Sequence, residues 1–309
     1  MVASASSFGT LPHQNGTPMP APQPIASPPG YAFPYQNLKR RLTRPDKVPL
    51  VLVACGSFSP VTTLRKWLRA RGYRQWRPNE SIDLQMFEFA EKYVKQSDPG
   101  FEIVGNYMSP CSDAYQKSSL APAHHRIQMC SLAVDTDTKV TITIDPWETV
   151  RVDESGKPLY SPTVDVLRHF DHEINNVLGG IETLDGTFTT ARIMLLIGAD
   201  LAATMADPKL WDPADIEVLL GYYGAFVVER PAQCRTQDAI EPLEKYNAKI
   251  WVVPTIINEV SSTRVRAQIQ NGERVEDIPD SVYKYIKLHH LYQKEPMPNG
   301  RHAEITNGN

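Results

Sequence analysis

The sequence predicts an α/β fold, a parallel sheet with helices on both faces. Three observations carry this. Leu50-Val51-Leu52-Val53-Ala54 and Ile193-Met194-Leu195-Leu196-Ile197 are wholly apolar, without the alternation of a half-solvated strand, so both faces of these strands are covered. Each runs into a glycine, Gly56 and Gly198, where backbone can approach a ligand with no Cβ in the way. Strand-like and helix-like stretches then alternate along most of the chain, as right-handed crossovers between parallel strands require.

Residues 1–47 contain nine prolines among Ser, Ala, Gly and Gln, too few large aliphatics to offset ordering, and are expected to be a disordered tail. The basic run Lys39-Arg40-Arg41-Leu42-Thr43-Arg44 reads as solvated linker before it reads as a nuclear address. After the first strand, Leu84 to Lys95 has a helical apolar face through Leu84, Phe87 and Ala90. Phe101 to Met108 is a second strand, and Ser109-Pro110 opens a loop. Pro122 to Val134 is a helix with proline at its start; Val140 to Ile144 is a third strand, followed by Asp145-Pro146-Trp147-Glu148. Ser161 to Asn176 is helical, Arg192 to Ile197 is the next strand, and Ala225 to Glu229 and Ile250 to Val253 supply two more. Val260-Ser261-Ser262-Thr263-Arg264-Val265-Arg266 is a hydroxyl-rich helix start. The whole reads as one Rossmann-like domain over residues 48–293, with a second disordered tail at 294–309.

At 309 residues and 41% hydrophobic the chain can bury one large core or two modest ones. A net charge of −3 and a pI near 6.3 argue against a general nucleic-acid binder. Four cysteines without a CxxC pair argue against structural metal and for reduced thiols inside a cell. No apolar run is long enough to span a bilayer, and the N-terminus has no signal-type apolar region, so no membrane is expected.

The chemistry concentrates in two segments. Gly56-Ser57-Phe58-Ser59-Pro60-Val61-Thr62 offers backbone N–H groups at a strand end, and Ser262-Thr263 with Arg266 offers a helix N-terminus and a guanidinium. Two separated phosphate-cradling elements point to a nucleoside triphosphate. The first segment resembles the GxFxPxT/H signature of the nucleotidylyltransferase superfamily, and Ser261-Ser262-Thr263-Arg264-Val265-Arg266 resembles its ISSTxxR motif. Ser109-Pro110, Asp113 to Lys117, Pro122 to Arg126, Asp145 to Glu148, Gly198-Ala199-Asp200 and Leu210-Trp211 narrow the resemblance. They are similar to the eukaryotic, fungal-like nicotinamide/nicotinic acid mononucleotide adenylyltransferases, over about residues 48–293.

That resemblance implies attack of a mononucleotide phosphate on the α-phosphorus of ATP, giving a pyridine dinucleotide and pyrophosphate, with Mg²⁺ accompanying ATP. It implies catalytic roles for Arg266 and Thr263. ATP would be held by Gly56, Ser57, Phe58, Thr62, Gly198, Asp200, Asn258, Ser262, Thr263 and Arg266. Lys117 would take the mononucleotide phosphate, with Trp147, Tyr160, Thr163, Leu210 and Trp211 around the pyridine and ribose. About six extra residues between Trp147 and Tyr160 set Tyr160 off the family spacing. The motifs do not separate amide from acid mononucleotide. A homo-oligomer, and a cytoplasmic or nuclear location, are compatible with the family. His124 and His125, at a helix start, read as structural.

One departure stands out. The superfamily carries a histidine three residues beyond the Thr62 position. Here that slot is Arg65 counting forward, or Asp83 counting back from Leu84. The interposed residues 65–83 carry six basic residues and two tryptophans. They read either as an added nucleic-acid- or phosphate-binding loop or as translated non-coding sequence, expected to lack regular order. The second reading is favoured, because the stretch displaces a catalytic residue rather than lengthening a peripheral loop. Two rival functions follow: an inactive nucleotide-binding member, and a nucleotidylyltransferase with another substrate. The second rival would lack the combination of Lys117, Gly198-Ala199-Asp200 and Leu210-Trp211.

Overall fold

The computed structural model describes residues 23, 25, 27–62, 82–115, 117–137, 139–230, 234–255, 262–273, 275 and 277–293. Within these, β1 (Val48–Gly56), β2 (Phe101–Pro110), β3 (Thr143–Ile144), β6 (Arg192–Gly198), β7 (Ala225–Val228) and β8 (Ile250–Val253) form one sheet in the order β3-β2-β1-β6-β7-β8. Every pairing in it is parallel. The remaining strands, β4 (Ile181–Glu182) and β5 (Phe188–Thr189), make a separate antiparallel pair. The sheet is therefore Rossmann-like, and its direction of growth reverses between β1 and β6, which puts a crevice beyond their carboxyl ends.

The two-residue period of each strand distributes its apolar side chains to two cores. Leu50, Leu52, Met194, Leu196 and Phe226 enter one core with α1 (Ile82–Ser97), α2 (Ala123–Asp137), α8 (Ser262–Gln270) and α9 (Asp280–Leu288). Val51, Val53, Ile193, Leu195 and Val227 enter the other. There they meet α4 (Thr163–Asp171) and the π-type turns 172–177 and 217–223 that prolong α4 and α6 (Pro213–Ile216). The short α3 (Trp147–Val150) and α5 (Ala199–Ala202) follow β3 and β6 directly, and α7 (Thr236–Ile240) precedes β8. Among the described residues no helix is long and apolar enough to cross a membrane.

Two expectations need correction. The third strand shortens from Val140–Ile144 to Thr143–Ile144, because it lies at the sheet edge and meets β2 only at Tyr107 and Met108. More important, the disordered tail expected through residue 47 is ordered in its later part. Phe33, Leu38 and Leu42 are buried in the second core. The Lys39 N–H donates to the Val104 carbonyl at 2.8 Å, and Leu42 and Glu182 are tied through backbone bonds to the same segment. Arg41 pairs with Glu182 and Lys47 with Asp46 and Asp98, so the basic run is pinned along the domain and is not a free linker. Scattered anchors with no helical or strand period conceal such packing in a proline-rich sequence.

Candidate active site at the sheet switch point

The glycine turn leaves β1 at the switch point. Cys111 N–H donates to the Gly56 carbonyl at 2.9 Å, which holds the end of β1 against β2. The Phe58 ring folds back over Gly56, and a Cβ there would lie 3.2 Å from the ring. Phe58 itself has a positive φ of 42° and is buried with Thr62, while Ser57 stays partly open. The sharp reversal thus bares the backbone of Gly56 and Ser57 to the crevice.

The segment Ser262 to Arg266 reaches this loop from more than two hundred positions away. Ser262 Oγ donates to the Pro60 carbonyl at 2.9 Å. Arg266 Nη1 donates to the Ser59 carbonyl at 2.6 Å, and its Nη2 to Thr263 Oγ1 at 3.1 Å. Arg266 is almost wholly buried, and desolvation lowers its pKa. Ser262 and Thr263 open α8, so its N-terminal dipole points toward the loop that they hold.

Gly198 closes the neighbouring strand. Asp200, just beyond it, pairs with Arg230 Nε at 3.1 Å across the end of β7. This ion pair lies directly over Gly198: a Cβ there would collide with Arg230 Nε and Asp200 Oδ1. Glycine is what lets a strand-end carboxylate and guanidinium meet above the backbone. Arg230 also approaches Met86 of α1 with Nη2–Sδ 3.5 Å.

The residues foreseen for the mononucleotide stand on connections leaving the same carboxyl edge: Lys117 after β2, Trp147 at the head of α3 after β3, and Leu210 and Trp211 after β6. Among the described residues these three connections share no hydrogen bond or ring contact through Lys117, Trp147 and Trp211. Lys117 is exposed beyond a short 3₁₀ turn at Asp113–Tyr115. Tyr160 is 56% exposed and stacks on Tyr115, with centroids 6.3 Å apart and planes at 19°, which brings it to the Lys117 loop despite its altered spacing. Leu210 is 65% exposed, and Trp211 is anchored by its Nε1–H to Thr204 Oγ1 at 3.0 Å. Thr163 is partly buried at the first position of α4.

Trp147, expected to line the mononucleotide site, sits in a dense cluster of its own. It is fully buried, with His169 stacked 4.3 Å away on its ring and the Arg151 guanidinium 4.6 Å from its centroid. His169 is set by Asp145 and by Tyr31, whose hydroxyl donates to Asp145 Oδ1 at 2.7 Å and lies 3.0 Å from His169 Nε2. Beside it Glu148 accepts from Ser109 Oγ at 2.8 Å, and burial pushes its carboxyl up to about 8. Asn258 and Ser261 lie outside the described residues, as does the insertion except for the backbone of Ile82 and Asp83.

Two arginines were missed. Arg126 is completely buried and donates from Nε to the Ala121 carbonyl at 2.8 Å, and from Nη1 to the Ser57 carbonyl at 3.3 Å. Its Nη2 reaches the Cys111 carbonyl at 2.7 Å and the Asp113 carboxylate at 2.8 Å. It fastens the glycine turn to the loop that carries Lys117. Asp113 in turn accepts from the Ala123 N–H at 3.0 Å at the start of α2. Arg230 is the other, visible in sequence only as the first cation beyond an apolar strand. His125, by contrast, has the structural setting foreseen for it, with Nδ1 2.8 Å from the Tyr285 hydroxyl.

Comparison with known proteins places these features in context. A family model described as cytidylyltransferase-like matches residues 83–268, so the glycine turn at 56–62 falls outside the matched range. Nicotinamide/nicotinic acid mononucleotide adenylyltransferase 2 of Saccharomyces cerevisiae is 38% identical over 273 residues, covering 86% of this chain and 62% of that protein. The chain thus spans less than two thirds of that relative's length. The Schizosaccharomyces pombe protein of the same description is also 38% identical, over 86% of this chain and 67% of its own length. The Arabidopsis thaliana protein is 30% identical over 84% of this chain and 97% of its own. Among solved structures, Plasmodium falciparum nicotinic acid mononucleotide adenylyltransferase complexed with NaAD aligns with a TM-score of 0.51. That alignment has 15% identity and covers 79% of this chain and 97% of the other, a likeness of fold.

Proposed function

Since this chain belongs to the cytidylyltransferase-like family and, within it, to the nicotinamide/nicotinic acid mononucleotide adenylyltransferases, we propose that it transfers the adenylyl group of ATP to nicotinamide or nicotinic acid mononucleotide. The observation that carries this reading is the meeting of the two phosphate elements. Ser262 and Arg266 are bonded to Pro60 and Ser59 of the glycine turn at the sheet switch point.

The mononucleotide's 5′-phosphate oxygen attacks the α-phosphorus of ATP, and the bond from that phosphorus to the β-bridging oxygen breaks, releasing pyrophosphate. The attacking phosphate is already ionised, so no protein base is required, and catalysis is positioning plus charge neutralisation. Gly56 and Ser57 offer backbone N–H groups to the triphosphate, Arg266 and the α8 N-terminus hold its β- and γ-phosphates, and Asp200 takes a ribose hydroxyl. Lys117 holds the mononucleotide phosphate, and Trp211 and Tyr160 supply aromatic faces for the pyridine, a flat cation. Asp200 already pairs with Arg230, and no group of three or more His, Cys, Asp or Glu among the described residues could hold a metal. These residues fit a Mg²⁺ delivered on the triphosphate oxygens, where it neutralises charge, better than one held in a protein cage.

The test is to incubate purified chain with ATP, Mg²⁺ and each mononucleotide and to measure pyrophosphate and dinucleotide. Formation of both supports adenylyl transfer. ATP binding without either product favours the second reading, a nucleotide-binding member without turnover. The absence of the family's histidine after Thr62 favours that reading.

A further inference from the structure

The last described segment of the chain returns to the nucleotide loop. The helix α9 is fastened to α2 by Ser281 Oγ donating to the Leu132 carbonyl at 3.2 Å and by the His125–Tyr285 bond at 2.8 Å. Just past it, His290 and Tyr292 have positive φ values of 52° and 60°, a left-handed conformation that side-chain-bearing residues adopt at a cost. This reversal carries the Tyr292 hydroxyl to 2.7 Å from Ser59 Oγ.

Ser59 is fully buried and held from several sides. Its Oγ shares the bond with Tyr292 and accepts from the Ala121 N–H at 3.1 Å. Its carbonyl takes the Arg266 guanidinium at 2.6 Å. The Tyr292 hydroxyl and the Arg266 guanidinium thus grip one residue, and the adenylyl-transfer scheme above uses only the second.

We infer that Tyr292 is a positioning residue for ATP, which fixes Ser59 and through it the placement of the Arg266 guanidinium. The inference rests on Arg266 being the phosphate clamp. Burial pushes the Tyr292 hydroxyl up to about 12, so it remains a neutral hydrogen-bonding group throughout the pH range of an assay.

The test is a double-mutant cycle on the full chain, read as ATP affinity and mononucleotide affinity by calorimetry. Tyr292→Phe weakens ATP binding by about tenfold, the scale of one lost buried hydrogen bond, while mononucleotide affinity stays within about twofold. In an Arg266→Ala background the same substitution changes ATP affinity by less than about twofold, because the group it acts through is gone. Ser59→Ala removes the Tyr292 bond from its other end and with it the acceptor of the Ala121 N–H, so if the tyrosine variant melts early it stands in with an equal or larger loss of ATP affinity expected. Unchanged ATP affinity in the folded variants overturns the inference, as does an equal loss in the Arg266→Ala background. Wild-type protein that binds ATP but releases no pyrophosphate counts against adenylyl transfer alone, and the affinity cycle still judges the tether.

Discussion

Arg266 shows how much one side chain is asked to do. Its guanidinium is buried and holds the Ser59 carbonyl and Thr263, and the proposed scheme also assigns it the triphosphate. Replacing it by alanine lowers turnover at saturating ATP by a factor of one hundred or more, about 3 kcal/mol of transition-state stabilisation, while circular dichroism stays unchanged. Full turnover in that variant would remove Arg266 from the clamp. Lys117 is exposed and, among the described residues, its side chain makes no comparable internal bond, so Lys117→Ala raises KM for the mononucleotide and leaves KM for ATP unchanged; equal rises in both would reassign it. Glu148 gives a pH signature. Its carboxyl binds a proton more tightly in the folded state, up to about 8 against an ordinary 4.5. The folded state therefore holds the extra proton between those values, and stability is full below the window and declines as pH rises through it. Glu148→Gln flattens this decline, measured as Tm between about pH 5 and about pH 9. A decline as steep as the wild type's would mean that another group carries it.

Helices and strands were easier to read than the irregular segments between them. Apolar runs such as Leu50–Ala54 and Ile193–Ile197 announce parallel strands, because burial on both faces leaves no polar alternation. The segment 27–47 announces nothing. Phe33 is followed by a proline and shares no regular period with Leu38 and Leu42, yet its ring packs against Tyr107 and Phe170 at 5.4 and 5.5 Å. Only the finished surface of the second core gives these side chains a place to go. Phe33→Ala costs about 3–5 kcal/mol, seen as a lower urea midpoint with an unchanged slope, because a buried aromatic leaves a cavity. A midpoint within error of wild type would show that the segment only lies on the surface. Arg126 and Arg230 escaped for a similar reason. Each is a single cation in sequence, and each becomes an organiser only because separate loops converge on it.

For the molecule as a whole, the stretch 65–83, which follows Thr62 and runs into the first two residues of α1, is the feature on which the proposed activity most depends, because the family resemblance expects a histidine there. Deleting it and placing a histidine before Leu84 raises adenylyl transfer by several orders of magnitude if the stretch is foreign to the site. Full activity in the chain as it stands would mean that a residue such as Arg65 supplies the missing charge, and transcript sequencing across these codons gives an independent check. The nature of the fold was legible from local signals, and the two segments proposed to take phosphate stood out in the same way. Apolar strands, a glycine turn and a capped helix start with arginines depend on neighbours a few residues apart, and hydrophobic period and backbone sterics act at that range. The meeting of those elements was not legible in this way. Gly56 beside Gly198, Ser262 and Arg266 on the loop at 59–60, and Tyr292 at Ser59 all depend on strand order and crossover. These contacts join positions up to 233 residues apart, and packing of the two cores brings them together where no short-range pattern records them.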